Sequence, residues 1–163
     1  MTYSSKRKSE GLSDQNLMNF QQRVFNINLY NPVLAIGSSS KAKVLITTGA
    51  TGTFCIEGKM YTSPASQEVA FTATTDDITA DATTAQEKTY LVCLNASGTG
   101  SIISGEQADI GESEAPEVGA SLCVIGKVVL SVAVGAVDFD ATTDELDEAH
   151  ITDTYTNLAL LAY

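Results

Sequence analysis

The chain contains no tryptophan, one histidine, three prolines, three cysteines and only nine basic residues in 163. Each shortage excludes something. The single histidine, His150, sits in Asp147-Glu148-Ala149-His150. A nucleophilic triad needs a base beside Ser or Cys and a third group to orient it. No G-x-S-x-G or comparable nucleophile motif occurs here, so His150 reads as a surface histidine in a solvated acidic loop and no enzymatic activity is expected. Cys55, Cys93 and Cys123 stand far apart without C-x-x-C spacing. They read as buried thiols in a reducing compartment, not as a disulfide framework or a zinc site. No apolar run reaches the ~18 residues expected of a membrane span. The richest, residues 122–137, is broken by Gly126, Lys127, Ser131 and Gly135. The N-terminus carries charge with no apolar segment behind it, so no signal peptide is expected. Nine bases against twenty acids give a net charge of −11, which argues against nucleic acid or an anionic membrane as partner of the body.

The charge that is present is uneven. Lys6, Arg7, Lys8 and Arg23 fall in the first 23 residues, while Glu106, Asp109, Glu112, Glu114 and Glu117 crowd one later stretch and Asp138 to Glu148 another. Residues 1–12 are polar and uncapped. Ser13 or Asp14 can cap a short helix in which Leu17, Phe20 and Val24 form one apolar stripe. Phe25-Asn26-Ile27-Asn28-Leu29-Tyr30 alternates strictly, a strand pattern, and Asn31-Pro32 ends it. This divides the chain into a docking arm, 1–31, and a body, 32–163.

The body reads as β. Lys43–Thr47 is a short strand, Thr53–Glu57 the next, with Gly58-Lys59 where a tight hairpin turn belongs. Gln67–Thr74 follows, then an Asp-, Thr- and Ala-rich loop over 75–87. In Thr89–Asn95, Tyr90, Val92 and Leu94 face one way and Leu91 and Cys93 the other, which marks a central strand buried on both sides. Ser101-Ile102-Ile103 lies beyond a Gly-containing turn, an acidic loop spans 104–119, and strands are expected at Leu122–Ile125 and from Val128 to Val134. The apolar tail, Leu158 to Tyr163, is expected to form a strand. Short strands with Gly, Asn, Asp and Ser turns, and no long helical pattern between them, predict an antiparallel β-sandwich or barrel.

Residues 55–78 and 123–146 align without a gap at 11 identities in 24 positions, among them Cys55/Cys123, Gly58/Gly126, Lys59/Lys127, Phe71/Phe139 and Asp76/Asp144. The repeat predicts two similar β-meanders related by a pseudo-twofold, with the Gly-Lys pairs as turns. Thr142-Thr143-Asp144-Glu145 fits a capping box opening a single helical turn, and Thr74-Thr75-Asp76-Asp77 is its twin. Asp76, Asp77 and Asp81, or Asp144, Glu145, Asp147 and Glu148, could gather oxygens for Ca²⁺, but the EF-hand spacing is absent. Caps are the expected role, and neither a metal nor another cofactor is expected.

The succession CIEGKMYTSPASQEVAFTATTDD, TYLVCLNASGTGSIISGEQ, LCVIGKVVL and FDATTDELDEAHITDTYTNL resembles virion structural proteins of tailed bacteriophages, of the capsid decoration, cement or head-fibre kind. The likeness spans about residues 53–157 and leaves the arm outside it. It implies a β fold, a place on the capsid exterior after synthesis in the bacterial cytoplasm, no enzymatic activity, and a homotrimer. The expected function is decoration and stabilisation of a capsid. The arm would dock on the major capsid protein, another virion protein or a sister subunit through Lys6, Arg7, Lys8, Leu17, Phe20, Val24, Phe25, Ile27 and Leu29. The alternatives are a carbohydrate-binding or adhesion module and a tail or neck adaptor. The loops 75–87 and 104–119 contain no aromatic residue to serve as a sugar platform.

Overall fold

The computed structural model describes Asn26, residues 28–37 and residues 42–158. Among these residues nine strands follow in chain order: β1 (Val33–Ile36), β2 (Lys43–Thr47), β3 (Gly52–Ile56), β4 (Lys59–Ser63), β5 (Ser66–Ala70), β6 (Gln86–Asn95), β7 (Gly100–Asp109), β8 (Leu122–Val132) and β9 (Ile151–Asn157). They form a three-stranded sheet β1-β2-β5, a hairpin β3-β4 and a four-stranded sheet β7-β6-β8-β9. Every pairing is antiparallel. The short helix expected in the arm falls outside the described residues, as does the tail beyond Leu158.

The core lies where the sheets face one another. Leu34, Val44, Ile46 and Val69 come from the three-stranded sheet, Phe54 and Ile56 from the hairpin, and Tyr90, Val92, Leu94, Ile125, Val128 and Leu130 from β6 and β8. β6 is buried from Gln86 to Leu94, as its doubly apolar pattern requires. Ladders do not join the sheets into a closed barrel, which removes that alternative. At the seams, side-chain amides stand in for the missing ladder. The Gln67 carboxamide accepts from the Gly100 N–H at 2.8 Å and donates to the Gly98 carbonyl at 3.0 Å, tying β5 to the start of β7. Asn157 Oδ1 accepts from the Leu34 N–H at 3.0 Å, tying β9 to β1. A primary carboxamide carries the same donor and acceptor as a peptide group, so it satisfies the backbone where two strands diverge.

The repeat is half real. Cys55 lies in the β3-β4 hairpin, whereas Cys123 lies in β8, an interior strand of the other sheet. The first Gly-Lys pair borders a turn: Glu57 and Gly58 have φ of 50° and 78°, the left-handed pair of a two-residue hairpin. The second does not turn at all. Gly126 and Lys127 continue one strand of 11 residues, because β6 supplies ladder partners on both sides of them. A Cβ on Gly126 would collide with Leu34 Cδ1, so this glycine serves close sheet packing. The expected pair of equivalent meanders is therefore corrected.

The second halves of the two copies do match. Thr72 N–H donates to Asp76 Oδ2 at 2.5 Å while Asp76 N–H donates back to the Thr72 carbonyl at 2.9 Å. Sixty-eight residues on, Asp140 N–H donates to Asp144 Oδ2 at 2.7 Å and Asp144 N–H to the Asp140 carbonyl at 2.9 Å. The two turns also meet: Ile78 and Phe139 exchange backbone hydrogen bonds of 3.0 and 2.9 Å, and Asp77 Oδ1 accepts from Ala141 N–H at 2.9 Å. Each is one turn closed by its own i+4 to i backbone bond, and no helix continues from it among the described residues. Asp140 Oδ1, not Thr142, is the capping acceptor, taking the Thr142 N–H at 2.8 Å.

Two strands run further than their sequence suggests. β6 starts at Gln86 and β7 ends at Asp109, so part of each expected loop is ladder, with a register shift between Lys88 and Tyr90. Polar residues occupy this stretch because its outer face carries hydrogen bonds rather than packing. Thr89 Oγ1 meets Ser113 Oγ at 2.7 Å, and Glu87 Oε1 accepts from Ser113 N–H at 3.1 Å.

Burial pushes the Cys93 thiol up to about 12, with Cys123 adding to the rise, and does the same to Cys123, with Cys55 adding. Thiolate is the reactive form. At pH 8 the folded protein should therefore expose no more than one thiol to Ellman's reagent, at Cys55, and all three after denaturation. Rapid reaction of three thiols in the native state would contradict this burial.

Candidate functional site

The feature that most resembles a working site is the segment from Asn26 to Tyr30, at the end of the stretch expected to form an arm. Asn28 pairs antiparallel with Phe54, and Leu29 N–H donates to the Thr53 carbonyl at 3.1 Å, so one edge of this segment extends the hairpin sheet. Its other edge is made by side chains. Asn26 Nδ2 donates to the carbonyls of Ala120 at 2.7 Å and Leu122 at 2.9 Å, while its Oδ1 accepts from Glu57 N–H at 2.8 Å. Asn28 Nδ2 donates to the Leu158 carbonyl at 3.1 Å. Two residues on, the Tyr30 hydroxyl lies 3.3 Å from Ser63 Oγ, and burial raises the Tyr30 pKa against the lowering effect of that contact. Residues 26, 28 and 30 share one face by strand periodicity. That face turns inward: Asn28 is buried and Tyr30 packs against the core, while Leu29 is 45% exposed.

Beside this segment lies a groove of about 640 Å³. Its floor is the outer face of the four-stranded sheet, with Leu91, Leu122, Val124 and Lys127. One wall is the segment 115–119, and Asn26, Thr156 and Leu158 complete the lining. The volume lies within the range of small-molecule and peptide sites, ~300–1,000 Å³. Beside it, burial acts to raise the pKa of Glu87, but hydrogen bonds from Gly111 and Ser113 and the charge of Lys127 overcome that and leave it lowered. Glu87 is thereby held as a carboxylate that pins the start of the loop leading to the groove wall.

Of the arm residues expected to bind, only Leu29 lies among the described residues; Lys6, Arg7, Lys8, Leu17, Phe20, Val24, Phe25 and Ile27 lie outside them. Sequence reasoning missed Asn26, Asn28 and the groove. Two asparagines on the inward face of an alternating strand were the available signal, because a polar side chain placed there has to find partners.

His150 sits between Asp144 Oδ2 at 3.7 Å from Nε2 and Glu148 Oε2 at 3.5 Å from Nδ1. Among the described residues no Ser or Cys hydrogen-bonds to it, so what the geometry offers is an imidazole set between two carboxylates. Of the acidic residues weighed for Ca²⁺, Asp76, Asp77, Asp81, Asp144 and Glu148 turn an oxygen onto backbone N–H groups. Asp77 holds Thr74 and Ala141, and Asp81 Oδ1 holds Thr83 and Thr84. The Thr83 hydroxyl, which donates to Asp81 Oδ1 at 2.6 Å, and those backbone bonds lower the Asp81 pKa to about 2. Among the described residues no group of three His, Cys, Asp or Glu converges as metal ligands.

No protein-family model, no curated protein and no solved structure matches this chain.

Proposed function

We propose that the chain is a non-enzymatic structural protein of a bacteriophage virion. It decorates the outer surface of the capsid as a homo-oligomer, most simply a trimer, with a β-sandwich body and an arm that grips the major capsid protein. The observation that carries this reading is the root at Asn26 and Asn28. A segment used to clamp another protein has to hand its load to a rigid body. Here the segment is hydrogen-bonded to β3, to the segment leading into β8 and to the end of β9 at once. Ahead of it stand 25 residues that carry four of the nine bases, joined to a body rich in carboxylates. The arm and the body thus offer opposite charge to their surroundings, and several arms acting together turn modest contacts into avidity.

The deletion that tests this removes residues 1–25 and keeps Asn26, whose side chain belongs to the body's hydrogen bonding. The shortened protein should keep its melting temperature within a few degrees and lose binding to purified capsids in co-sedimentation. Undiminished decoration by the shortened protein would reject the arm reading. Binding of the intact protein to a glycan array, with no affinity for capsids, would favour the adhesion module instead.

A further inference from the structure

We infer that the groove on the outer face of the four-stranded sheet is closed by residues 159–163 of the same chain, which lie outside the described residues. What the arm binds does not enter into this.

Three observations converge. The first is position. β9 delivers the chain into the groove. Thr156 and the next residue but one, Leu158, both line it, as strand alternation requires. Leu158 is held by both of its backbone groups. Its N–H donates to the Ile125 carbonyl at 3.0 Å, and its carbonyl accepts from Asn28 Nδ2 at 3.1 Å. The chain therefore leaves Leu158 already at the groove, and the same alternation assigns Leu160 to the groove side.

The second observation is reach. The lining comes from three neighbouring strands, through Thr156 of β9, Val124 of β8 and Leu91 of β6. Strands lie about 4.8 Å apart, so the groove extends roughly 10 Å across the sheet, and five residues at about 3.3 Å each cover roughly 17 Å. On the far side stands the wall. Among the described residues the backbone groups of Ala115, Pro116, Glu117 and Val118 have no hydrogen-bond partner. A segment laid beside them supplies donors and acceptors in the manner of an added strand.

The third is chemistry. Leu91, Leu122, Val124 and Leu158 make the groove apolar, and its two charges, Lys127 on the floor and Glu117 on the exposed wall, cancel. Such a groove selects an apolar occupant without net charge. Residues 159–163 are Ala-Leu-Leu-Ala-Tyr, with no charged side chain. Residues 1–25 also lead to the groove, through Asn26, but they carry four bases against two acids, a charge that the lining does not answer. Leu158, 41% exposed, gains cover from the residues that follow it.

Hydrogen exchange on the full-length chain, read by NMR at the backbone N–H groups of Ala115, Glu117 and Val118, tests this. In wild type these amides should exchange at least about tenfold more slowly than in Leu160→Asp, because a charge then has to enter the apolar groove for it to close. The amides of β6 should exchange alike in both proteins, which shows that the fold is intact. Leu160→Met should retain the protection, since it keeps the apolar contact. Leu160→Ala should fall between, and it keeps the test readable if the aspartate disturbs folding. Equal exchange of the wall amides in wild type, Leu160→Asp and Leu160→Ala overturns the inference. Protection that rises with protein concentration also overturns it and assigns the groove to a second copy. Protection lost on removing residues 1–25, with 159–163 intact, overturns it in favour of the arm.

Discussion

Phe139→Ala is expected to lower the free energy of unfolding by about 3–5 kcal/mol, the range for removing a fully buried phenylalanine. Phe139 is wholly buried and meets Phe71 edge-on at 6.1 Å; Phe71 in turn meets Tyr90 edge-on at 4.9 Å. Its backbone also makes both hydrogen bonds to Ile78. The ring is thus the point at which the two Thr-Asp turns are fastened to each other and to β6. The high end of the range applies because the surroundings cannot collapse into the space. Each turn is locked by its own reciprocal pair of hydrogen bonds, Thr72 with Asp76 and Asp140 with Asp144, and Tyr90 is held by donating to the Asp76 carbonyl at 2.5 Å. Urea denaturation checks this. A loss under about 1 kcal/mol would mean that the turns do not depend on the aromatic contact. Phe71→Ala combined with Phe139→Ala should cost less than the two single losses added, since both remove the same ring pair.

Gln67→Glu is expected to cost about 1–3 kcal/mol at neutral pH, although it changes hardly any volume. The carboxamide now donates to Gly98 and accepts from Gly100. A carboxylate keeps the second bond and sets its charge against the Gly98 carbonyl in place of the first. The charged form is the one penalised, so the introduced carboxyl has a folded-state pKa above its unfolded value of about 4.3. The protonated form regains a donor. The deficit is therefore full well above that folded pKa, shrinks as pH falls from there towards the unfolded value, and is smallest below it. Parallel denaturation of both proteins at pH 7 and pH 3.5 reads this directly. A pH-independent difference would show that the seam does not depend on the amide donor.

The sheet content was legible because it rests on side-chain alternation. Tyr90 to Leu94 announces a strand buried on both faces, and Lys43 to Thr47 falls where its pattern places it. The ends of β6 and β7 were hidden because residues 86–88 and 104–109 earn their places through hydrogen bonds, which leave no periodic trace. β9 was hidden for a related reason. Thr152, Thr154 and Asp153 look like loop residues, yet they run along β8 as an edge strand. The repeat misled at Gly126-Lys127 because a glycine marks either a left-handed turn or a close approach, and only the position of Leu34 decides between them. The arm root was written in Asn26 and Asn28, but their partners at Ala120, Leu122 and Leu158 are more than ninety residues away in the chain.

That root has a mechanical consequence. The segment from Asn26 to Leu29 lies alongside β3, and its bonds to Thr53, Glu57, Ala120, Leu122 and Leu158 cross from it to its neighbours. Tension applied along the segment loads them in shear, so they share the force and yield together. Tension applied outward from the body peels them one at a time, beginning at Asn26. The same attachment is therefore strong in one direction and weak in another. A partner that pulls along the segment would meet the strong direction, and one that tugs it away from the body the weak one.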